Sequence, residues 1–418
     1  MATVNVVSTL DGLFKRIYAD KVLNLIPENV KLLNMVSFQA ADKLGESYRQ
    51  PVIVQQEQGY TYGGSSGTAF TLSAAVAGQV KDANIKGFEN VMRTQIAYGV
   101  ASRSASSDAA FEQGTKLIVA NMLRSFAKRL EISMLYGQKE IGLVNANTSS
   151  TAKLVISDAS WAPGIWNALE GAKIVVFSSN LVTDRTSTAR TITNIDLETK
   201  EMTFDGAAIS LTAGDRVLFD GSYTAAGGWA EMLGLQSVMS AYNDGVTDLF
   251  GINPASYNVW RSTNYSAGSA DLSFQKIQQA IAQGAGRGLD QDVVCMVSMK
   301  TWAKLLSDQA ALRVYDSSYT RQTAENGSES IKFYSQVGTV EVVPSAYVKE
   351  SLAFLFPKES LMRIGSTDVT FKLPGAANDR FFRELTDSAG FELRAYCDQA
   401  LFAPQPNALI LITAITNS

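Results

Sequence analysis

The chain has 418 residues, 46% hydrophobic and 18% charged, with a net charge of −4. That composition supports a sizeable core in roughly two or three modest domains and excludes global disorder, and the mild acidity without any Lys/Arg cluster argues against tight binding to nucleic acid through its phosphates. Histidine is absent altogether, which removes Ser-His-Asp and Cys-His catalysis, His-ligated metals and His proton shuttles.

Residues 1–46 read as an N-terminal arm. In "LDGLFKRIYADKVLNLI" the residues Leu10, Phe14, Ile17, Val22 and Leu25 fall at roughly helical spacing, and Pro27 stops the pattern. The stretch lacks the charged, apolar and small-residue regions of a secretory signal. No apolar run approaches the ~18 residues of a membrane span, so the sequence predicts a soluble, cytosolic chain with no membrane contact. Residues 47–103 read as a long hairpin with strands near 48–57 ("YRQPVIVQQE") and 91–102 ("VMRTQIAYGVAS") and a Gly-rich tip, "GYTYGGSSGTAFTL", between them. A two-stranded ribbon is marginal alone in water. The apolar tip groups Tyr60, Tyr62, Phe70 and Leu72 therefore need a covering surface, and a place in a local core is the alternative for each.

Residues 104–153 hold the clearest helix, from Ser107 to about Tyr136. Ser107 or Asp108 is a fitting N-cap, Glu112 lies in the first turn and Gly137 can terminate. Phe111, Ile118, Met122, Phe126, Leu130 and Met134 form an apolar stripe, with Lys116, Arg124, Lys128 and Arg129 largely off it. At about 1.5 Å per residue this helix is roughly 45 Å long, a spine rather than the wall of a pocket. "NANTSSTAK" (145–153) reads as a polar linker. Residues 154–226 turn to short β runs ("AKIVVFSS", "ARTITNIDLE", "KEMTFDG", "DRVLFDG") separated by Gly, Asp and Asn, which predicts a small inserted β module with a hairpin at "LETKEMTFDG". From 227 to 400 the pattern is α/β: "DLSFQKIQQAIAQGAGR" and "KTWAKLLSDQAAL" are helices, and "QDVVCMVSM", "TVEVVPSAYV" and "LAFLFP" are strands. A last strand follows in 401–418, after a Pro-bearing turn.

Few residues invite chemistry. "GAGRG" (284–288) lies between helix and strand, the reverse of the strand–turn–helix order of a dinucleotide fingerprint, so it reads as a helix C-terminal turn. Asp290/Asp292 and Asp184/Asp205 read as solvated carboxylates on turns and strand edges, whereas a glycosidase would need two of them to converge beside aromatic platforms. Cys295 and Cys397 sit in apolar runs as buried free thiols. No catalytic residue, cofactor or metal site is expected. The aromatic loop "LFGINPASYNVWRSTNY", with Phe250, Tyr257, Trp260 and Tyr265, reads as an inter-subunit contact, with a ligand pocket or a local core role as alternatives.

The order of parts is an arm, a long hairpin, a spine helix, a β insertion, an α/β domain and terminal strands. It resembles the major capsid proteins of tailed bacteriophages, the Hong Kong 97-type α+β fold. The resemblance is carried by "YRQPVIVQQEQGYTYGGSSGTAF" for the extended loop, by "SSDAAFEQGTKLIVANMLRSFAKRLEISMLYG" for the spine helix, and by the closing run from "VEVVPSAYV" to "NALILITAI". It implies a peripheral domain around the spine helix, an axial α/β domain, and an extended loop lying across a neighbouring subunit. It also implies self-association into hexamers and pentamers that tile an icosahedral virion capsid around double-stranded DNA, assembled in the host cytoplasm. A portal protein, a separate scaffolding protein and a decoration protein are the further partners implied. Relatives that cross-link covalently use a lysine in this loop. None occurs from Pro51 to Val80, the nearest being Lys81 and Lys86, so a non-covalent shell is expected. A fused scaffolding domain would need more chain than residues 1–46 before the hairpin. The alternatives are an encapsulin-like compartment shell, a tail or baseplate ring, and a carboxylate-dependent α/β enzyme.

Overall fold

A computed structural model describes residues 30–40, 47–103, 114–307, 331–372, 382–386 and 388–417. The amphipathic pattern of Leu10–Leu25 lies outside them. So do the expected cap of the long helix at Ser107 or Asp108, its residues Phe111 and Glu112, and the end of the helix that follows Met299. Contacts divide the chain into two units, one of Met1–Ile26, Met92–Arg124 and Phe371–Ala395, the other of Pro27–Val91, Ser125–Thr370 and Tyr396–Ser418.

In the smaller unit a short strand, Phe382–Glu384, runs antiparallel to the first half of the strand Gly390–Phe402, with Arg383 opposite Glu392. The helix Tyr98–Arg103 starts beside it. The Tyr98 N–H donates to the Ala389 carbonyl at 3.2 Å, and the Tyr98 ring lies 6.4 Å from Phe391.

The larger unit is built around a six-stranded mixed sheet. Its order is Thr263–Ala270, Ile410–Ile415, Ala353–Phe356, Val293–Val297, Thr339–Pro344, Ile331–Tyr334. Burial on both faces explains why the central strands Ala353–Phe356 and Val293–Val297 are apolar throughout, whereas the edge strand Ile331–Tyr334 alternates. Val293, Cys295, Val297, Leu355, Ile410 and Ile412 face one core, shared with Phe274, Ile277 and Ile281 of the helix Phe274–Ala285 and Leu305 of the helix Met299–Ser307. Val294, Met296, Phe354, Phe356 and Leu411 face a second, larger core. Ser273 caps the first of these helices, accepting from the Lys276 N–H, and the helix ends in the turn through Gly286, as expected of "GAGRG". Both cysteines are buried free thiols.

The larger core also takes Leu130, Met134, Leu135 and Tyr136 from the end of the long helix Gly114–Tyr136, and one face of the β module. The stripe Met122, Phe126, Leu130, Met134 is buried as the spacing predicts, and the helix stops before Gly137. The module is a six-stranded sheet in the order Gly142–Leu143, Arg216–Phe219, Lys173–Phe177, Arg190–Asp196, Glu201–Phe204, Lys153–Val155. The expected hairpin pairs Glu201 with Asp196. The expected linker at 145–153 is instead part of the module, since Thr148–Thr151 pairs with Ile209–Leu211. The many Thr and Ser residues that read as linker suit an exposed edge strand as well.

The hairpin differs from expectation in its return strand. Tyr48–Gln55 pairs antiparallel with Gln79–Ile85, Tyr48 opposite Ile85 and Val52 opposite Lys81. The run expected to close it, near 91–102, instead divides between the strand Phe88–Ala97, which pairs with Gly390–Phe402, and the helix Tyr98–Arg103. Lys86 and Gly87 separate the two strands. Gly87 approaches Asp398 so nearly that a Cβ would sit 2.1 Å from its Oδ1, and any larger residue would have to push that carboxylate aside.

Candidate functional site

From Val54 to Gly64 the chain travels roughly 30 Å at about 3.3 Å per residue, and no residue from Gln55 to Asp82 is buried. The two legs nevertheless stay together beyond the ladder. Gln58 and Val76 exchange backbone hydrogen bonds of 2.9 and 2.8 Å, and the Ser73 N–H donates to Thr61 Oγ1 at 2.8 Å. The tip carries the apolar load. Tyr60, Tyr62, Phe70 and Leu72 are 78%, 87%, 55% and 74% exposed, and Ile53 and Val80 extend the apolar surface down the stem. Tyr60 and Tyr62 meet edge-to-face at 4.9 Å. The Phe70 ring lies over Gly63, where a Cβ would come within 2.4 Å of it. The four side chains that sequence singled out thus share one end of one element, exposed among the described residues. The lysine nearest the tip, Lys81, stands on the return strand of the stem.

The aromatic loop divides. Phe250 and Trp260 are buried in the chain's own core, the local alternative for each. Phe250 meets Phe402 edge-on at 5.2 Å, and Trp260 Nε1 donates to the Leu249 carbonyl at 2.9 Å. Tyr257 is half-buried, and its hydroxyl is 3.0 Å from Gln79 Oε1 at the start of the return strand. Tyr265 lies at the edge of the helix-covered core, bonded to Gln279 at 2.7 Å. The sequence reading missed that this loop meets the root of the hairpin, where the Asn84 N–H donates to the Phe250 carbonyl at 2.7 Å. No local motif announces that contact, because Phe-Gly is not the pair that marks a tight left-handed turn.

Three of the carboxylates that could have carried chemistry accept from backbone N–H groups. Asp184 accepts from the Thr186 and Ser187 N–H groups, Asp205 from Thr191, and Asp292 from Thr339. An open depression of about 590 Å³ beside Asp292 is lined by Lys332, Glu341, Lys358 and Glu359, and Glu341 there bridges Lys332 at 3.6 Å and Lys358 at 3.1 Å. Among the described residues no group of three His, Cys, Asp or Glu side chains could hold a metal, and no helix is long and apolar enough to cross a membrane.

Two buried polar groups do structural work that sequence could not foretell. Glu131, on the long helix, accepts from the backbone N–H groups of Lys31, Leu32 and Leu33 at 3.1, 2.8 and 2.7 Å. It thus caps the short helix Leu32–Met35 from another part of the chain, where that helix has no side-chain cap of its own. Burial pushes its carboxyl up, against the pull of those three bonds. Lys349 is fully buried, donating to the Glu140 carbonyl at 2.7 Å, 3.5 Å from the Glu140 carboxylate and 4.3 Å above the Tyr136 ring. Burial lowers its pKa and Glu140 raises it in return. A buried charge is tolerable only with such partners.

The sequence matches no family model and no curated protein. Solved structures do match over nearly the whole chain. A chain from the capsid asymmetric unit of cyanophage A-1(L) superposes with a TM-score of 0.57 at 11% identity, covering 97% of this chain and 98% of that one. A chain from the capsid of a native GTA particle superposes with a TM-score of 0.52 at 7% identity, covering 99% and 100%. The chain therefore has the α+β, Hong Kong 97-type fold of these capsid subunits.

Proposed function

We propose that the chain is the major capsid protein of a tailed bacteriophage, assembling as hexamers and pentamers into an icosahedral shell around a double-stranded DNA genome. The observation that carries this reading is the hairpin tip. Four large apolar side chains stand at the end of a ribbon in which no residue from Gln55 to Asp82 is buried. Burying a few hundred Å² of such surface on a second copy, at about 25 cal/mol per Å², gives several kcal/mol per arm before ordering costs. An arm that lies on the next subunit makes a head-to-tail contact, which closes into a ring when the rotation permits. Many such contacts hold a container together although each is weak. The likeness in fold to phage and GTA capsid chains supports the same reading.

The shell is non-covalent, since neither leg of the tip from Pro51 to Val80 offers a lysine. The net charge of −4 suits a wall that holds DNA without adhering to it. Portal, scaffolding and decoration proteins complete the set of partners, and the chain functions in the virion capsid after assembly in the host cytoplasm.

What the shell encloses tests the reading. Particles that contain this chain, purified and treated with nuclease, should protect long double-stranded DNA. Particles that protect only a cargo protein would make the chain the shell of a cellular compartment, and soluble rings or tubes without a closed interior would assign it to a tail.

A further inference from the structure

With no residue from Gln55 to Asp82 buried, the direction of the hairpin is decided at its root. There Ala83 and Ile85 point into the core, and the outgoing strand occupies one edge of the return strand. The other edge meets the turn Leu249–Ile252. Leu249 and Ile252 exchange backbone hydrogen bonds of 2.9 and 3.1 Å, and the two residues between them are left-handed, Phe250 at φ +54° and Gly251 at φ +83°. A left-handed backbone suits Gly251 and strains an aromatic residue. That strained residue is the one whose carbonyl takes the Asn84 N–H and whose ring is wedged on Phe402. The turn is pinned on both flanks, with Asp248 Oδ1 accepting the Gly251 N–H at 2.6 Å and Trp260 Nε1 donating to Leu249. Gly251 also lies beside the return strand, where a Cβ would be in ordinary van der Waals contact with the Asn84 Cβ at 3.5 Å. A second contact, Tyr257 to Gln79, grips the same strand roughly 17 Å further out at about 3.4 Å per residue. One contact leaves a hinge, whereas two on one strand fix a direction.

We infer that the Leu249–Ile252 turn and Tyr257 form a clasp that sets the angle at which the hairpin leaves its own subunit. In the shell-forming reading, on which this use of the clasp rests, that angle determines where the tip meets the next copy, and so the uniformity of the particles. The clasp itself is a property of the single subunit and can be tested there.

The test uses the full-length, unassembled chain with spin labels on Ser66→Cys, at the exposed tip, and Glu198→Cys, in an exposed turn of the β module. Both native thiols are buried, so labelling is selective. Pulsed dipolar spectroscopy should give a narrow distance distribution in this background. Adding Tyr257→Phe and Gly251→Val, which remove the outer contact and force the turn out of its left-handed geometry, should broaden it at least two-fold with the far-UV spectrum unchanged. Should that variant not fold, Tyr257→Phe with Gln79→Leu removes the outer contact alone, and a broadening of about 1.5-fold is expected. A distribution as narrow in the variants as in the parent, or already broad in the parent, overturns the clasp. Assembly is read separately. Mixed particle diameters in the variants against one diameter in the parent support the role in the shell. A working clasp in a chain that never assembles would instead defeat the shell reading and leave the clasp standing.

Discussion

Glu231 shows what burial does to a single carboxylate. It accepts the Gln138 N–H at 3.1 Å, and burial raises its pKa to about 7, with the charge of Arg129 too small a compensation. Arg129 is itself lowered by burial and lies 3.0 Å above the Phe219 ring. An acid whose folded pKa lies above its unfolded value stabilises the fold most below the unfolded pKa, and that advantage is lost as pH rises through the folded value. Between about pH 4.5 and 7, then, this group should erode stability as pH rises. Denaturant melts of the wild type and Glu231→Gln, which keeps an acceptor for Gln138, should show the wild type losing up to about 3 kcal/mol relative to the variant over that window. A constant difference across the window would mean that Glu231 titrates normally. None of this was legible in the sequence. Glu131, Glu231 and Lys349 look there like any surface charges, and their settings follow from contacts 93 to 213 residues away in the chain. Nor could residue type alone separate Phe250 and Trp260, which the core absorbs, from Tyr60 and Tyr62, which it leaves bare.

Among elements, those with a strong period were legible and those set by partner choice were not. The long helix announced itself by its apolar stripe and Gly137, and the buried strand Val293–Val297 by an unbroken apolar run. The hairpin's tip was legible from its Gly-rich, aromatic composition. Its return strand was not, because Gln79–Ile85 mixes polar and apolar residues with little alternation, while Phe88–Ala97 alternates clearly but pairs elsewhere. The linker at 145–153 failed for a related reason, since an edge strand of Thr and Ser looks like a loop until its partner is known. The hairpin is also where assembly and folding separate. Phe70→Asp puts a charge on a side chain that is 55% exposed in the subunit, so the melting temperature should stay within about 2 °C of the wild type, as for surface substitutions generally. Particle yield in sedimentation should nonetheless fall to background. Normal particles from this variant would mean that the tip is not buried on a neighbour.

At the scale of the molecule, the order of elements along the chain carried more information than any motif. No family model finds this sequence, and the capsid chains that share its fold do so at 11% and 7% identity. What this chain shows is a plan: a hairpin with little core of its own, a long helix, and a sheet buried on both faces. That plan can survive nearly complete replacement of side chains, because it depends on period and burial rather than on particular residues. The same plan leaves the hairpin as an exposed apolar arm. Electron microscopy of the purified chain, alone and after concentration, tests this most directly. The account predicts closed polyhedral particles or capsomer-like rings of five and six subunits. A chain that stays monomeric at every concentration, with and without a scaffolding protein, and whose hairpin resists protease would contradict it.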